Sequence, residues 1–365
     1  MTHTAKILIM AGGTGGHVFP ALAIAEQLRS QGIHVSWLGT RQGLEARLVP
    51  DAGFPIHFVR ISGLRGKGPV RQLLSPFLVL VAILQSLWVI LRVRPHVVLG
   101  MGGFVSGPGG VAAWLLHRPL FIHEQNAIPG MTNRLLARLA TGAMEAFPGS
   151  FSAMPNAAIR CPVECTGNPV RRDIASLPPP SERLHRQAEA LRILVLGGSQ
   201  GAEILNEVVP KAIGTLVDSD SVIVRHQAGT QHLMRTRVRY ENLDVIVNLV
   251  AFIDDMAEAY GWADLVVARA GAMTVTELTA AGVASILVPY PFAVDNHQTA
   301  NARFLADAGA AVLVPQTELT SANLGRLFTE FHVARSQLVA MAEAARNLSI
   351  PDATKRVVMR CLNSA

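Results

Sequence analysis

Short apolar runs alternate with longer mixed segments along almost the whole chain. Lys6–Met10 precedes a glycine-rich turn and the helical pattern Ala21–Leu28, and Arg192–Leu196 precedes a second turn and the similar pattern Ile204–Ile213. Strands that alternate with helices predict βα units and parallel sheets. Because the same strand–turn–helix arrangement occurs once in each half of the chain, the pattern predicts an α/β protein with two Rossmann-like domains.

A proline-rich stretch lies between the two predicted domains. Pro178–Pro180 cannot lie inside a helix or a central strand, and polar residues follow it. We therefore expect the boundary between Cys165 and Leu191. The length of 365 residues also favours two cores over one. A last helix is predicted for Pro351–Leu362, and the pattern alone leaves open which domain it joins.

One long stretch without charge needs an explanation of its own. Gln72–Leu91 is flanked by Arg71 and Arg92 and is long enough to cross a bilayer. Pro76 and two polar residues interrupt it, and the strand pattern resumes at Val97–Leu99. We predict a helix or patch at the membrane interface, held on anionic lipid by its apolar and basic residues. A buried helix and a true span are the alternatives.

The charge distribution supports an anionic partner. The chain has a formal net charge of +6, and the segment 52–123 contains no acidic residue. A one-sided basic field of this kind is typical of proteins that meet a membrane surface, a nucleic acid or phosphates. The basic residues of this segment are Arg60, Arg65, Lys67, Arg71, Arg92, Arg94 and Arg118.

The cysteines and the N-terminal residues indicate a cytoplasmic protein. Cys161, Cys165 and Cys361 show neither a disulfide framework nor a zinc-ligand spacing, which favours a reducing compartment. The apolar run Ile7–Met10 is too short for a signal peptide and leads directly into the glycine-rich turn, so it is predicted to be a strand.

The first glycine-rich turn, Gly12–His17, predicts a ligand that carries phosphate. Glycines allow close approach of the backbone, and free N–H groups at a helix start attract anions. The dinucleotide fingerprint fails because Val18 stands where its third glycine is needed. A purely structural turn is the alternative. His17 could accept a proton from an acceptor hydroxyl, or it could only satisfy the loop backbone.

Two further glycine-rich segments follow predicted strands. Gly100–Gly110 leaves much backbone open to a ligand, or forms a flexible loop. Gly197–Gly201 repeats the arrangement of the first turn, but it also matches G-x-S-x-G, the nucleophile elbow of serine hydrolases. The duplication favours phosphate binding, and a hydrolase that uses Ser199 is the alternative. Its possible triad partners are Asp264, Asp295 and His297.

Polar residues also follow other strands. Arg269–Glu277 opens a helix that can hold a diphosphate at its N–H groups and paired ribose hydroxyls at Glu277, although capping explains the same residues. Asp295–Gln298 suits sugar hydroxyls, and His123–Asn126 follows a strand at the edge where α/β sheets bind ligands. Asp218–Asp220 has the D-x-D form of a metal–diphosphate site, but its turn-forming neighbours favour a solvated turn.

Taken together, these segments closely resemble the bacterial peptidoglycan N-acetylglucosaminyltransferases, which convert lipid I to lipid II. The matches keep the family's order from about residue 6 to residue 355, and several are long and distinctive. The matching motifs are GGTGGHVFP, ISGLRGKG, VLGMGGFVSGPGG, HEQN, GNPVR, GGSQGA, FIDDM, RAGAMTVTE and IPDAT.

The resemblance implies a GT-B architecture with the active site in the cleft between two Rossmann-like domains. It implies an inverting transfer of GlcNAc from UDP-GlcNAc to the C4 hydroxyl of MurNAc in the undecaprenyl-diphosphate-linked pentapeptide. It implies no cofactor, no catalytic metal and no nucleic acid. The expected location is the cytoplasmic face of the bacterial inner membrane, on an anionic surface and beside other cell-wall synthesis proteins. A non-catalytic, membrane-docked nucleotide-sugar sensor is a second alternative.

The resemblance also implies domain borders and site residues. The domains would be an acceptor-side domain 1–165, a donor domain 166–342 and a terminal segment 343–365 that returns to the first domain. His17 would be the base, with Glu124 as a less favoured candidate. Arg171 and the amide dipoles would stabilise the departing UDP. The donor would contact Thr14, Gly15, Gly16, Asn126, Arg171, Ser199, Ile253, Ala272, Met273, Thr274, Val275, Thr276, Glu277 and Gln298.

Overall fold

The chain divides into two compact units. The computed structural model describes residues 5–61, 75–152, 159–184, 190–198, 201–216 and 221–364. The N-terminal unit comprises Met1–Val170 together with Asp352–Ala365, and the C-terminal unit comprises Arg171–Pro351. Each unit has its own parallel sheet and its own hydrophobic core.

The N-terminal unit is built on a seven-stranded parallel sheet in the order β3-β2-β1-β4-β5-β6-β7. The strands are β1 (Lys6–Met10), β2 (His34–Gly39), β3 (Ile56–Phe58), β4 (Val97–Gly100), β5 (Leu120–Glu124), β6 (Gly142–Glu145) and β7 (Val163–Cys165). The helices before the boundary are α1 (Gly15–Ser30), α2 (Glu45–Asp51), α3 (Ser75–Val93), α4 (Ser106–Leu115) and α5 (Met131–Leu136).

The C-terminal unit is built on a six-stranded parallel sheet in the order β10-β9-β8-β11-β12-β13. The strands are β8 (Leu191–Leu196), β9 (Val222–Gln227), β10 (Ile246–Val250), β11 (Leu265–Ala268), β12 (Ala284–Leu287) and β13 (Ala311–Leu313). The helices are α6 (Arg172–Ala175), α7 (Pro180–Arg183), α8 (Glu203–Ile213), α9 (Leu233–Tyr240), α10 (Met256–Trp262), α11 (Ala272–Ala281), α12 (His297–Ala306), α13 (Ser321–Val333) and α14 (Arg335–Asn347).

Both sheets have the doubly wound order, in which the first strand lies beside the second and the fourth. Helices cover both faces of such a sheet, so the central strands are apolar without alternation. Ile7–Met10 in β1 and Ile193–Val195 in β8 are accordingly inaccessible to solvent. The predicted α/β architecture of two Rossmann-like domains is confirmed.

Two predicted element bounds are wrong. Both lie at the carboxyl edge of the N-terminal sheet, the edge at which α/β sheets bind ligands and which we call the ligand edge. Helix α1 begins at Gly15, six residues before the predicted pattern Ala21–Leu28, because the glycines of its first turn add nothing to a hydrophobic pattern. Strand β5 does not end at Ile122 but continues through His123 and Glu124, which pair with Met144 and Glu145 of β6. These two polar side chains therefore belong to the sheet itself.

The last helix, α15 (Ala353–Leu362), packs on α1 within the N-terminal unit. Its residues Val357, Val358 and Cys361 are fully buried in the core that contains β1 and α1. Met359, on the opposite side of the helix, is half exposed. The C-terminal segment thus completes the hydrophobic core of the N-terminal unit.

Helix α3 is long and apolar enough to cross a membrane, and no other helix among the described residues is. Its inner side buries Ala82, Ser86, Val89 and Ile90 in the N-terminal unit. Its outer side exposes a row of large apolar side chains at helical spacing. The row consists of Phe77, Leu80, Leu84, Trp88 and Leu91, each more than half exposed.

The sequence left open whether α3 lies at a membrane interface, is buried in the protein or spans the membrane, and its two sides bear on this choice. An ordinary buried helix would not expose five large apolar side chains along one face. The inner side packs against its own unit, including helix α4. Of the predicted segment Gln72–Leu91, residues 72–74 lie outside the described part of the chain.

We expect V358A to lower the free energy of unfolding of the N-terminal unit by about 1.5–3 kcal/mol, because it removes two buried methyl groups and leaves a cavity. The matched control M359A, on the exposed side of the same helix, should change it by no more than about 0.5 kcal/mol. Urea unfolding of the full chain, followed by circular dichroism, measures both. Equal changes in V358A and M359A would contradict a stabilising role for the buried side of α15.

Candidate functional site

The ligand edge of the N-terminal unit lies where β1 meets β4. In a doubly wound sheet the strand order reverses at this point, and the loops after the two strands leave a crevice at their carboxyl ends. The glycine-rich turn follows β1, the Gly100–Gly110 segment follows β4, and Gln125–Gly130 follows the neighbouring β5. Three of the predicted motifs are therefore brought together.

The turn after β1 and the loop after β4 touch through their backbones. A Cβ on Gly103, which has a φ of +80°, would overlap the carbonyl group of Gly12. Gly13 also has a positive φ, at +94°. Only glycine fits both demands at Gly103, because it has no side chain and accepts φ > 0 at low cost.

Helix α1 starts at this crevice. Thr14 is its exposed N-cap residue, and the amides of Gly15 and Gly16 precede the first bonds within the helix, so they are open to an anion. His17 lies one residue further along and is partly exposed. Its Nδ1 lies 3.0 Å from Oε1 of Gln125.

Glu124 is placed differently from a free catalytic base. It is 2% exposed, and both of its oxygens accept hydrogen bonds. Oε1 accepts from the backbone and side-chain nitrogens of Asn126, and Oε2 accepts from the amide of Gly130 and the side chain of Asn133. The carboxylate holds the loop after β5 in shape. Asn126, a predicted donor contact, is one of the groups it holds.

Glu45 is a buried carboxylate that the motif search missed. It is the first residue of α2, and its Oε2 accepts from the amide of Gly13 at 2.9 Å while its Oε1 accepts from the amide and hydroxyl of Thr40. A Cβ on Gly12, Gly39 or Gly43 would overlap this side chain. The spacing G-x-x-x-G-x-E, formed by Gly39, Gly43 and Glu45, is the sequence feature that could have identified this residue.

The ligand edge of the C-terminal unit lies where β8 meets β11. The Gly197–Gly201 turn follows β8, and a Cβ on Gly201 would overlap the carbonyl group of Ala228, as at Gly103 in the other unit. Ser199, predicted both as a donor contact and as a possible nucleophile, lies outside the described residues, as does Asp218–Asp220.

Helix α11 begins directly after β11 and points its first turn to the same edge. The amides of Ala272, Met273 and Thr274 precede the first bond within the helix, which Val275 donates to Gly271. The side chain of Val275 is fully buried, so only its backbone can meet a ligand. The hydroxyl of Thr276 donates back to the carbonyl of Ala272 at 2.8 Å.

Glu277 is held from two sides. The buried Tyr260 donates its hydroxyl to Oε2 at 3.1 Å, and Arg171 approaches Oε1 at 3.8 Å. Burial raises the pKa of Glu277, and the charge of Arg171 opposes this shift. Tyr260, which fixes the carboxylate, is absent from the residues that the sequence predicted.

Gln227 links the turn after β8 to the loop after β10. Its Nε2 donates to the carbonyl of Gly198 at 2.9 Å, and its Oε1 accepts from the amide of Ile253 at 3.0 Å. The amide of Ile253 is thus already bonded. Gln298, at the start of α12, accepts from the amide of Tyr290.

Asp264, a possible triad acid of the hydrolase alternative, lies at the wrong edge of the sheet. It immediately precedes β11, where its carboxylate accepts from the amide of Arg192 at 2.9 Å and pairs with Arg335 at 3.2 Å. That is the amino end of the strands, opposite to the Gly197–Gly201 turn.

Comparison with known proteins supplies the family. The glycosyltransferase family 28 N-terminal domain matches residues 7–145, and the glycosyltransferase family 28 C-terminal domain matches residues 192–357. The chain belongs to glycosyltransferase family 28. It is therefore a glycosyltransferase, and neither a serine hydrolase nor a non-catalytic sensor finds support.

The relatives match this chain in sequence over nearly its full length. A protein from Nitrosococcus oceani is 53% identical over 99% of this chain and 99% of its own, and one from Marinobacter nauticus is 50% identical over 99% and 98%. Both are named UDP-N-acetylglucosamine--N-acetylmuramyl-(pentapeptide) pyrophosphoryl-undecaprenol N-acetylglucosamine transferase. The crystal structure of Acinetobacter baumannii MurG is 43% identical, with a TM-score of 0.85 over 98% of this chain and 99% of that one. The predicted resemblance is confirmed.

Proposed function

We propose that this chain transfers GlcNAc from UDP-GlcNAc to the C4 hydroxyl of MurNAc in undecaprenyl-diphosphate-linked MurNAc-pentapeptide, which converts lipid I to lipid II. The observation that carries the proposal is the identity of about half of all positions, over the full length, with two transferases named for this reaction. The site geometry of each unit agrees with it.

The C-terminal unit supplies groups suited to the uridine diphosphate. Glu277, fixed by Tyr260 and Arg171, accepts the paired ribose hydroxyls. The free amides of Ala272–Thr274 and the positive end of the α11 dipole bind the diphosphate. Ile253 meets uracil through its carbonyl, since its amide is taken by Gln227. Ser199 and Gln298 complete the donor set that we assign to this unit.

The N-terminal unit supplies the base. His17 is partly exposed at the ligand edge and carries a ring nitrogen that can accept a proton, whereas both oxygens of Glu124 are engaged in the loop. We therefore assign the base to His17 and a loop-holding role to Glu124. Thr14, Gly15, Gly16 and Asn126 are assigned to the donor sugar and its phosphate.

The chemistry is a single displacement. The C4 oxygen of MurNAc forms a bond to the anomeric carbon as its proton passes to His17, and the bond from that carbon to the UDP oxygen breaks. The electron pair of the broken bond leaves with UDP, whose charge is stabilised by the α11 amides and Arg171. The α-linked donor gives a β-linked product.

The outer face of α3 fits a peripheral location on the cytoplasmic leaflet. Its exposed row is continued by basic Arg92 and Arg94 at the end of the helix, and Arg92 stacks on Trp88 at 5.1 Å. Helix α4, which packs against α3, exposes Trp114 and Leu115 as well. Apolar burial and attraction of basic residues to anionic lipid together hold such a helix in the interface.

One assay tests the function as a whole. The purified chain is supplied with UDP-GlcNAc and a lipid I analogue, and formation of lipid II and UDP is followed. Release of UDP without a disaccharide product, or binding of UDP-GlcNAc with no turnover, would contradict the proposed transfer.

We expect H17A to lower kcat by about 10²–10⁴-fold, the usual contribution of a general base, while the Kd of UDP changes by less than about twofold. The lipid I assay and calorimetric titration with UDP measure the two quantities. Equal losses in turnover and UDP affinity would contradict the base role, because they would place His17 in donor binding.

We expect E277Q to weaken UDP binding by about 10- to 100-fold, because hydrogen bonds to a carboxylate are worth about 1.5–3 kcal/mol. Protonation of Glu277 removes the same acceptor. Since its pKa is raised, UDP affinity of the unaltered chain should begin to fall at a higher pH than for an ordinary glutamate. Titrations at a series of pH values measure this fall, which E277Q should lack.

We expect the double variant L84E/W88E to lower binding to phosphatidylglycerol-containing vesicles at least about tenfold, because it places two charges in the apolar row of α3. The matched control is M234E/V238E, which changes two exposed apolar residues at the same spacing on α9. It should bind vesicles like the unaltered chain. Vesicle co-sedimentation measures both, and unchanged binding of L84E/W88E would exclude α3 as the docking face.

A further inference from the structure

A connected row of polar groups lies beneath His17. Gln125 is 1% exposed and His123 is inaccessible to solvent, so neither side chain is available to bulk water. The row runs from Nδ1 of His17 to Oε1 of Gln125, from Nε2 of Gln125 to Nδ1 of His123, and from Nε2 of His123 to the carbonyl of Gly167. Its distances are 3.0, 3.2 and 2.9 Å.

The far end of the row determines the proton on His123. A backbone carbonyl can only accept, so the nitrogen that faces Gly167 must carry the hydrogen. Burial lowers the pKa of His123 to about 4, and the ring is therefore neutral near pH 7 with a single N–H. That N–H is at Nε2, which leaves Nδ1 of His123 as an acceptor.

The orientation of the Gln125 amide follows from its neighbours. Nε2 of Gln125 lies 2.9 Å from the carbonyl of Met101 and 3.2 Å from Nδ1 of His123. Both neighbours accept, so both require the amide NH₂ on this side. The opposite orientation would place the amide oxygen against two acceptors and leave them buried without donors. The amide oxygen must therefore face His17.

An amide oxygen also only accepts, so Nδ1 of His17 must carry the hydrogen. We propose that Gln125 is a positioning residue for the transfer reaction: it holds His17 in the Nδ1–H tautomer, so that the lone pair of Nε2 is free to take the acceptor's proton. The inference rests on the proposed base role of His17. It adds a role for Gln125, which stands in the HEQN motif but was not among the predicted site residues.

The backbone at Gly102 passes close to both His17 and Gln125. Gly102 has a φ of +95°, and a Cβ there would lie 2.7 Å from Nδ1 of His17 and 3.3 Å from Oε1 of Gln125. A side chain at this position would overlap the His17 ring and crowd the Gln125 amide oxygen. The amide is also tied to the sheet, because the carbonyl of Met101 belongs to a residue whose own amide donates to Met10 of β1. The orienting group is thus anchored to β1, β4 and β5.

Q125M tests the inference, since methionine keeps the length of the side chain and removes its hydrogen bonds. The full chain is labelled with ¹⁵N-histidine, and the His17 ring signals are identified by their loss in H17Q. In the unaltered chain we expect His17 to show a protonated Nδ1 and an unprotonated Nε2. In Q125M we expect a mixture of tautomers and a loss of about 10- to 100-fold in kcat, with KM for UDP-GlcNAc within about twofold.

Q125E separates positioning from structure. Glutamate keeps an acceptor for Nδ1–H of His17, but it places a buried carboxylate oxygen against the acceptors of Met101 and His123, so it disrupts the buried row more than Q125M does. We expect Q125E to keep the Nδ1–H tautomer and a clearly higher kcat than Q125M. The matched control is Q316M, which removes a glutamine acceptor of Arg269 in the C-terminal unit and should leave kcat and the His17 signals unchanged.

The outcomes distinguish this inference from the proposed function. If H17A retains full turnover, the base assignment fails and the inference fails with it. If H17A loses turnover while Q125M keeps the Nδ1–H tautomer and full kcat, the base assignment stands and the positioning role of Gln125 is overturned. Equal loss of kcat in Q125M and Q125E with an unchanged tautomer in both also overturns it.

Discussion

The reversal of strand order beside the first strand of each sheet is the constraint on which both sites depend. β1 pairs with β2 on one side and β4 on the other, and β8 pairs in the same way with β9 and β11. Chain segments after these strands turn to opposite faces of the sheet, so no connection fills the space at their carboxyl ends. The glycine-rich turns lie at that space, and Gly103 and Gly201 are needed because backbones meet there without room for a side chain.

Within the N-terminal unit, buried carboxylates hold the loops that line this space. Glu45 binds the amide of Gly13, and Glu124 binds the amides of Asn126 and Gly130. Each bond satisfies a backbone N–H that would otherwise be available to a phosphate. The amides of Gly15 and Gly16 precede the first bonds of α1, and the helix dipole favours negative charge at this end. Because these loops are already ordered, less conformational entropy is lost when a ligand binds.

The sequence predicted the architecture well because hydrophobic periodicity and glycine turns are local signals. The strand Lys6–Met10 has the predicted bounds, and both strand–turn–helix units are present. The extent of β5 was missed because His123 and Glu124 are polar, although Gly167 and the loop after β5 provide partners for their side chains. A polar residue inside a strand can be recognised only once its hydrogen-bond partners are known.

The candidate site was predictable only in part, for the same reason. His17, Arg171 and Glu277 stand in motifs that the family resemblance identified, and Gln125 stands in the HEQN motif without a predicted role. The contacts of Gln125 with His17 and of Tyr260 with Glu277 appear only in the structure. Gln125 is separated from His17 by 108 positions and Tyr260 from Glu277 by 17. Two glycines, Gly39 and Gly43, precede Glu45 closely in the sequence. In the structure these two and Gly12 make room for its side chain.

By itself, the sequence determined the fold class, the two glycine-rich edges and the family, because each is encoded in the order and spacing of residues along the chain. The tertiary structure decided that both oxygens of Glu124 are hydrogen-bonded, that Gln125 contacts His17 and which face of α3 is exposed. These properties depend on groups from distant strands meeting in a buried space, where every donor requires an acceptor. That pairing is settled only when the sheet has formed.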